Sequence, residues 1–201
     1  MNRRMTPDDR RAALIQAAIR VIARGGVAAA TTRAIVAEAR MPLGAFHYVF
    51  TSRDELLSQV VRSVTDGERM AAELALPMGE GATLEQMIVA ALDAYLDLLV
   101  ADPQRELALL ELAQYGARHD PALVDRQYAF YYREAESMLA QVAAACGVTW
   151  TEPGDVLARR LVVVTDGLTT TWLADRDASA ARAFIRSIAP WFAASATRVS
   201  A

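Results

Sequence analysis

Lysine is missing from this chain altogether, so all 21 of its basic residues are arginine. Cysteine is almost as scarce. Cys146 stands alone, which excludes an intrachain disulfide, and one cysteine with two histidines cannot build a Cys/His metal cluster. No glycine-rich phosphate loop is present, and no nucleophile stands beside a base, so neither a metal nor a cofactor is expected. The basic opening MNRRMTPDDRR has no apolar segment behind it. The later apolar runs are broken by Asp93, Asp97 and Asp166, well short of a membrane span. The expectation is therefore a cytoplasmic protein with no membrane partner. Strand alternation bounded by hairpin turns is also lacking, as are internal repeats and low-complexity linkers.

What the chain does have is enough apolar material for a sizeable core, with 54% hydrophobic residues among 201. Its charge is unevenly spread. Residues 1 to 53 carry nine arginines and three acids, a balance of +6, whereas the remainder carries twelve arginines and 21 acids, a balance of −9. A basic head on an acidic body points to a polyanion such as DNA meeting the head alone.

Helical punctuation runs the length of the chain. Thr6-Pro7, Asp102-Pro103 and Asp120-Pro121 place a capping side chain before a first-turn proline. Ser52 to Glu55 and Thr83 to Gln86 have capping-box spacing, while Gly25-Gly26 and Gly147 read as stops. Thr31 can cap a short helix to about Ala39, and Pro42 can begin another, with only Arg40 and Met41 between them. Further helices are predicted from about Pro153 to Ala174 and from about Asp177 towards Ala194, where Pro190 either kinks or ends the last one. The count is about nine, an all-α fold. Ile35, Val36, Ala39, Met41, Ala45, Phe46 and Phe50 can face a shared core with the first helix, giving a three-helix module with a tight turn.

The run TTRAIVAEARMPLGAFHYVFTSRDELL, residues 31 to 57, resembles the DNA-binding signature of the TetR family of bacterial transcriptional regulators. Gly44, Ala45, Phe46, Phe50, Ser52, Arg53, Leu56 and Leu57 fall at matching positions. The departures are Arg40 where the family's turn glycine usually stands, Leu43 in place of a polar residue, an inverted His47-Tyr48 order, and an apolar Val49. The resemblance implies a helix-turn-helix DNA-binding domain at residues 1 to 51, with the helix-turn-helix at about 31 to 50. Residues 52 to 201 would form a helical ligand-binding and dimerisation domain. It also implies a homodimeric repressor acting on a palindromic operator in double-stranded DNA and released by a small apolar or amphipathic organic effector.

Gly44 and Ala45 let a helix backbone approach a groove, and Ala45 can touch a thymine methyl. Arg33, His47, Tyr48 and Arg53 can donate to phosphate oxygens. With Thr32 and Leu43 they complete the DNA-facing set, and Asn2, Arg3 and Arg4 are candidates for a minor-groove arm. Tyr95, His119, Tyr128, Tyr131, Asp166 and Trp172 are the candidate effector residues, supplying polar handles among apolar ones. By the resemblance, Leu161, Val164, Phe184, Ile188 and Trp191 on the last two helices form the dimer interface. A competing expectation is an all-helical enzyme using buried Asp166 as acid with His119 as base. A scaffold without DNA binding leaves the charge split unexplained.

Overall fold

The computed structural model describes residues 5–76 and 81–198, so Asn2, Arg3 and Arg4 of the suggested arm lie outside the described residues. Among those described there are nine helices, as the punctuation predicted: α1 (Pro7–Ala29), α2 (Thr32–Glu38), α3 (Gly44–Val49), α4 (Arg53–Ala75), α5 (Leu84–Ala101), α6 (Pro103–His119), α7 (Pro121–Cys146), α8 (Gly154–Asp175) and α9 (Ala178–Ala193). Two three-residue strands that carried no periodic signal join them. β1 (Val148–Trp150) and β2 (Ala196–Arg198) pair antiparallel, with Thr149 opposite Thr197. Gly147, at φ 62°, turns the chain out of α7 into β1 in a conformation that costs glycine little.

The caps form as the residue types dictate. Thr6 with Asp9, and Thr83 with Gln86, each close a reciprocal box at a helix start. At α4 only half of the expected box exists: the Ser52 hydroxyl accepts the Glu55 amide, but the Glu55 carboxylate turns to the Thr51 amide and hydroxyl, both at 2.7 Å. Gly26, at φ 72°, breaks the helical path of α1 where the glycine pair predicted a stop. Pro190 does not end α9, which continues for a further turn to Ala193.

The chain divides into two compact units. One contains residues 1–64 together with 104–127, and the other contains 65–103 together with 128–201. The boundary thus falls inside α4 and α7, and α6 belongs with the first unit. In that unit α1, α2 and α3 pack on one another. By length and a mean hydropathy of 1.4, α1 is long and apolar enough to cross a membrane. Its side chains Leu14, Ile15, Ala17, Ala18, Ile19 and Ile22 are instead buried as the centre of this unit. Leu56, Leu57, Val60, Val61 and Val64 of α4 are also buried. Gly116 of α6 lies so close to α7 that a Cβ there would stand 2.9 Å from the Val124 Cβ and 3.0 Å from its amide nitrogen.

In the second unit α5 and α9 make the most extensive packing, around Leu92, Leu96, Leu168, Trp172, Ile185 and Phe192. A smaller cluster joins α7 to α8 through Ala135, Leu139, Leu157, Ala158 and Val162. Arg182 of α9 reaches Asp93 of α5 at 2.9 Å and also pairs with Asp97, fixing the register of the two helices.

Candidate functional site

Alternation along α3 creates an outward face. Phe46, Val49 and Phe50 are buried, whereas Leu43, Gly44, His47 and Tyr48 are exposed, with Tyr48 67% accessible. Ala45 is half-buried. The helix begins with Leu43 already in the helical region, and Pro42 O accepts the Ala45 amide at 2.9 Å, so the proline does start the turn. At Gly44 an added Cβ would meet nothing within 4 Å. No packing among the described residues demands glycine there.

The preceding helix is capped by Thr31, whose hydroxyl accepts the Ala34 amide at 3.2 Å. Thr32 is half-buried at its first position, and Arg33 is exposed beside it. Between the helices Arg40 adopts φ 55°, so it accepts the left-handed conformation that glycine would take without strain. Glu38 fixes α2 to α1 through Arg20 at 2.7 Å and Arg24 at 2.5 Å. These hydrogen bonds, Arg24 foremost, hold its carboxyl down at about 2.

Arg53 does not sit with the exposed set. Its Nε donates to Ala30 O at 2.9 Å, and a second guanidinium nitrogen donates to Val27 O, so it closes the end of α1. Periodicity gave no hint of this, because the acceptors are more than 20 residues away. Two arginines missed by sequence reasoning support α3. Arg10 lies over the Tyr48 ring at 5.0 Å, and Arg11 donates to Val49 O while stacking on Phe50 at 4.7 Å. Both are remote in sequence from what they touch, so no local pattern announces them.

The candidate effector residues are distributed over both units. His119 belongs to the first, exposed at the end of α6 and 4.9 Å from the Tyr115 ring. The others lie in the second. The Tyr128 hydroxyl donates to Asp166 Oδ2 at 2.9 Å, and Tyr131 meets the Tyr128 ring edge-on at 5.4 Å. Burial pushes the Asp166 carboxyl above its ordinary value, with the Tyr128 hydrogen bond opposing that shift. Burial and the Asp166 charge push the Tyr128 phenol up as well. Tyr95 and Thr169 share a hydrogen bond between their hydroxyls. Trp172 is only 6% exposed, and its indole N–H has no partner among the described residues.

Of the residues expected at a dimer interface, Leu161, Val164 and Ile188 pack partly against the unit's own core. Phe184 and Trp191 are 43% and 50% exposed. Val156 and Val163, not singled out in the sequence, are exposed too. They are spaced seven residues apart along α8, as Phe184 and Trp191 are along α9, so each pair shares one helix face.

A helix-turn-helix with an exposed second helix on an arginine-rich head defines a DNA-binding regulator. Comparison with known proteins agrees. Residues 14–60 match the family model of bacterial regulatory proteins, tetR family. The chain is 34% identical over 185 residues to the HTH-type nicotine-responsive transcriptional repressor HdnoR of Paenarthrobacter nicotinovorans, covering 86% of this chain and 88% of that protein. A transcriptional regulator from Rhodococcus sp. Rha1 shares the fold, with a TM-score of 0.71 at 18% identity over 94% of this chain and 99% of the other. The multidrug binding protein EbrR, solved with imidazole, gives a TM-score of 0.66 at 26% identity over 96% and 93% of the two chains. The chain belongs to the TetR family and is a transcriptional repressor. Its relatives are regulators and not enzymes, which removes the acid-base reading of Asp166 and His119; those two residues belong to different compact units.

Proposed function

We propose that this repressor acts as a cytoplasmic homodimer on a palindromic operator and is released by a small apolar or amphipathic organic effector. In functional terms residues 1–51 form the DNA-binding domain and 52–201 the effector and dimerisation domain. The observation that carries the reading is the two-sided α3, whose buried Phe46, Val49 and Phe50 anchor an exposed row of Leu43, Gly44, His47 and Tyr48. Gly44 and Ala45 admit the groove, His47, Tyr48, Thr32 and Arg33 meet phosphates, and Leu43 contacts a base or its methyl group.

The exposed apolar positions on α8 and α9, Val163, Phe184 and Trp191, support a four-helix contact between two copies. Two heads then enter grooves roughly 34 to 36 Å apart. Residues of α4 belong to both compact units, so a tilt of this helix driven by the effector would change that spacing. An effector that prefers the released state about 100-fold contributes roughly 2.7 kcal/mol, and DNA must weaken its binding by the same factor. That the relative HdnoR is nicotine-responsive and EbrR was solved with imidazole makes nitrogenous ring compounds the first effectors to try.

The test selects binding sites from random duplexes and then compares variants on the selected site. Gly44→Ala should keep the fold and weaken operator binding, while Trp191→Glu should yield monomers with poor operator affinity. Nicotine is the first effector added. No enriched palindrome, or a Trp191→Glu protein that remains dimeric by sedimentation, would overturn the corresponding part of the reading.

A further inference from the structure

Residues 5 to 53 contain seven arginines, and four of them are committed within the chain. Arg11 donates to Val49 O and pairs with Glu55 at 3.4 Å, Arg20 and Arg24 hold Glu38, and Arg53 closes the end of α1. The guanidinium groups of Arg10, Arg33 and Arg40 have no acceptor among the described residues. Of these three, Arg33 and Arg40 stand exposed, whereas Arg10 is half-buried and held in a definite place, over the Tyr48 ring at 5.0 Å.

That contact does little for stability. Tyr48 is 67% accessible, and a cation over so exposed a ring shifts an equilibrium only about two- to fivefold. The neighbouring acids do not compete for Arg10: residues one and two positions apart on a helix do not face each other, and Asp9 is occupied with the Thr6 amide at 3.2 Å. What the ring does is orient. A guanidinium drawn to a ring by its face keeps its N–H fork for an oxyanion, and a side chain already held has less freedom to lose on binding. The Tyr48 hydroxyl is likewise without a partner among the described residues, so a cation and a neutral donor stand together on the exposed side of α3.

We propose that Arg10 binds a backbone phosphodiester of the operator, with the Tyr48 ring holding its guanidinium in place and the Tyr48 hydroxyl donating to the same stretch of backbone. Arg10 comes from α1 and not from the helix that enters the groove, so its acceptor is the backbone bordering the groove and not a base edge. Its neighbour Arg11 has the same charge and one position's difference in sequence, yet it is spent on Val49 O and Glu55. The inference rests on the reading of α3 as the groove-facing helix, and it adds α1 to that interface.

The experiment follows binding of the full chain to the selected operator and to a random duplex by fluorescence anisotropy, from about 50 to 200 mM salt. Each lost phosphate contact lowers the slope of log K against log salt by about 0.9, so Arg10→Ala should lower it by about 1.8 for a dimer, equally on both duplexes. Arg10→Lys should restore most of the slope, since an ammonium still pairs with phosphate. Tyr48→Phe keeps the ring and should keep the slope. Tyr48→Leu removes the ring, and should weaken wild-type binding about two- to fivefold more than it weakens binding by Arg10→Ala. Should alanine unfold the chain, Arg10→Gln removes the charge while keeping the length of the side chain. An unchanged slope overturns the proposal, because a residue that merely supports α3 would alter affinity and leave the slope; a fall on the operator alone overturns it too. Equal effects of Tyr48→Leu in the two backgrounds overturn the part given to the ring. Wild-type protein with no salt-dependent affinity for either duplex would overturn the operator reading as well, so the two failures are told apart.

Discussion

Two carboxylates, one in each compact unit, are treated in opposite ways. Glu38 in the head is held by two arginines that pull its carboxyl down to about 2, whereas Asp166 in the second unit is pushed up by burial with only a tyrosine to oppose the shift. The contrast extends to the arginines. In the head, Arg53 donates to the backbone carbonyls of Val27 and Ala30, and Arg11 to that of Val49. The head is thus preorganised by its own cations, as a surface that must match a fixed groove should be. In the second unit, by contrast, the Trp172 indole N–H is buried without an acceptor among the described residues. The difference also sets the acid response. Stability contributed by Glu38 is present above its ordinary value of 4.5 and is lost as pH falls from there towards about 2.

The comparison breaks most severely at Arg53. Arg53→Ala removes the donor to two carbonyls at the end of α1 and should destabilise the chain by about 2 to 4 kcal/mol in urea unfolding. Arg33→Ala provides the contrast: Arg33 is exposed, so its loss should leave stability within about 0.5 kcal/mol of wild type while weakening DNA binding. Equal stability of the two variants would show that Arg53 is not a clamp. Next in size is Gly116→Ala, whose Cβ would press on Val124 and its backbone. The expected loss is about 1 to 3 kcal/mol, measured by the same unfolding curves.

These two residues also mark how far the sequence could be read. The nine helices described were legible because each is announced locally, by a capping side chain, a first-turn proline or a terminal glycine. The exposed row of α3 was legible for the same reason, since its spacing and its resemblance to known regulators are local. The role of Arg53 depends on carbonyls 23 and 26 positions away, and that of Gly116 on a helix crossing. Neither leaves a periodic trace. The same limit explains the unpredicted β1 and β2, whose partners are about 50 residues apart and whose strands are too short to alternate. His119, grouped with the pocket residues by type alone, belongs to the first unit because α6 packs there.

Asp166→Asn reverses the usual sign of a substitution at a half-buried polar position. A carboxyl whose folded value lies above its ordinary 3.8 holds its proton more tightly folded than unfolded. It therefore contributes stability below 3.8, and this contribution is lost as pH rises through the raised folded value. At neutral pH the ionised group is a burden, and asparagine, which can still accept from Tyr128, relieves it. The variant should be more stable than wild type at neutral pH, with the advantage shrinking as acid protonates the wild-type carboxyl. Thermal melts at several pH values check both the sign and the trend. A variant less stable at every pH would mean that Asp166 is already paired as well as Glu38 is.

The smallest effect concerns the turn of the helix-turn-helix. Arg40 and Arg176 are the two non-glycine residues with positive φ among those described, at 55° and 60°. Both end a helix, so the same backbone strain occurs once in each unit. For a side chain with a Cβ, that conformation costs roughly 1 to 2 kcal/mol, of which glycine would return part as chain entropy on unfolding. Arg40 is exposed, so Arg40→Gly should stabilise the protein by about 0.5 to 1 kcal/mol. Arg176 differs because its guanidinium lies 4.6 Å over the Trp172 ring, an attraction that glycine would forfeit. Arg176→Gly should therefore gain less than Arg40→Gly, or nothing. Parallel urea titrations decide the order, and a larger gain at Arg176 would show that its stacking contributes less than the strain it accompanies.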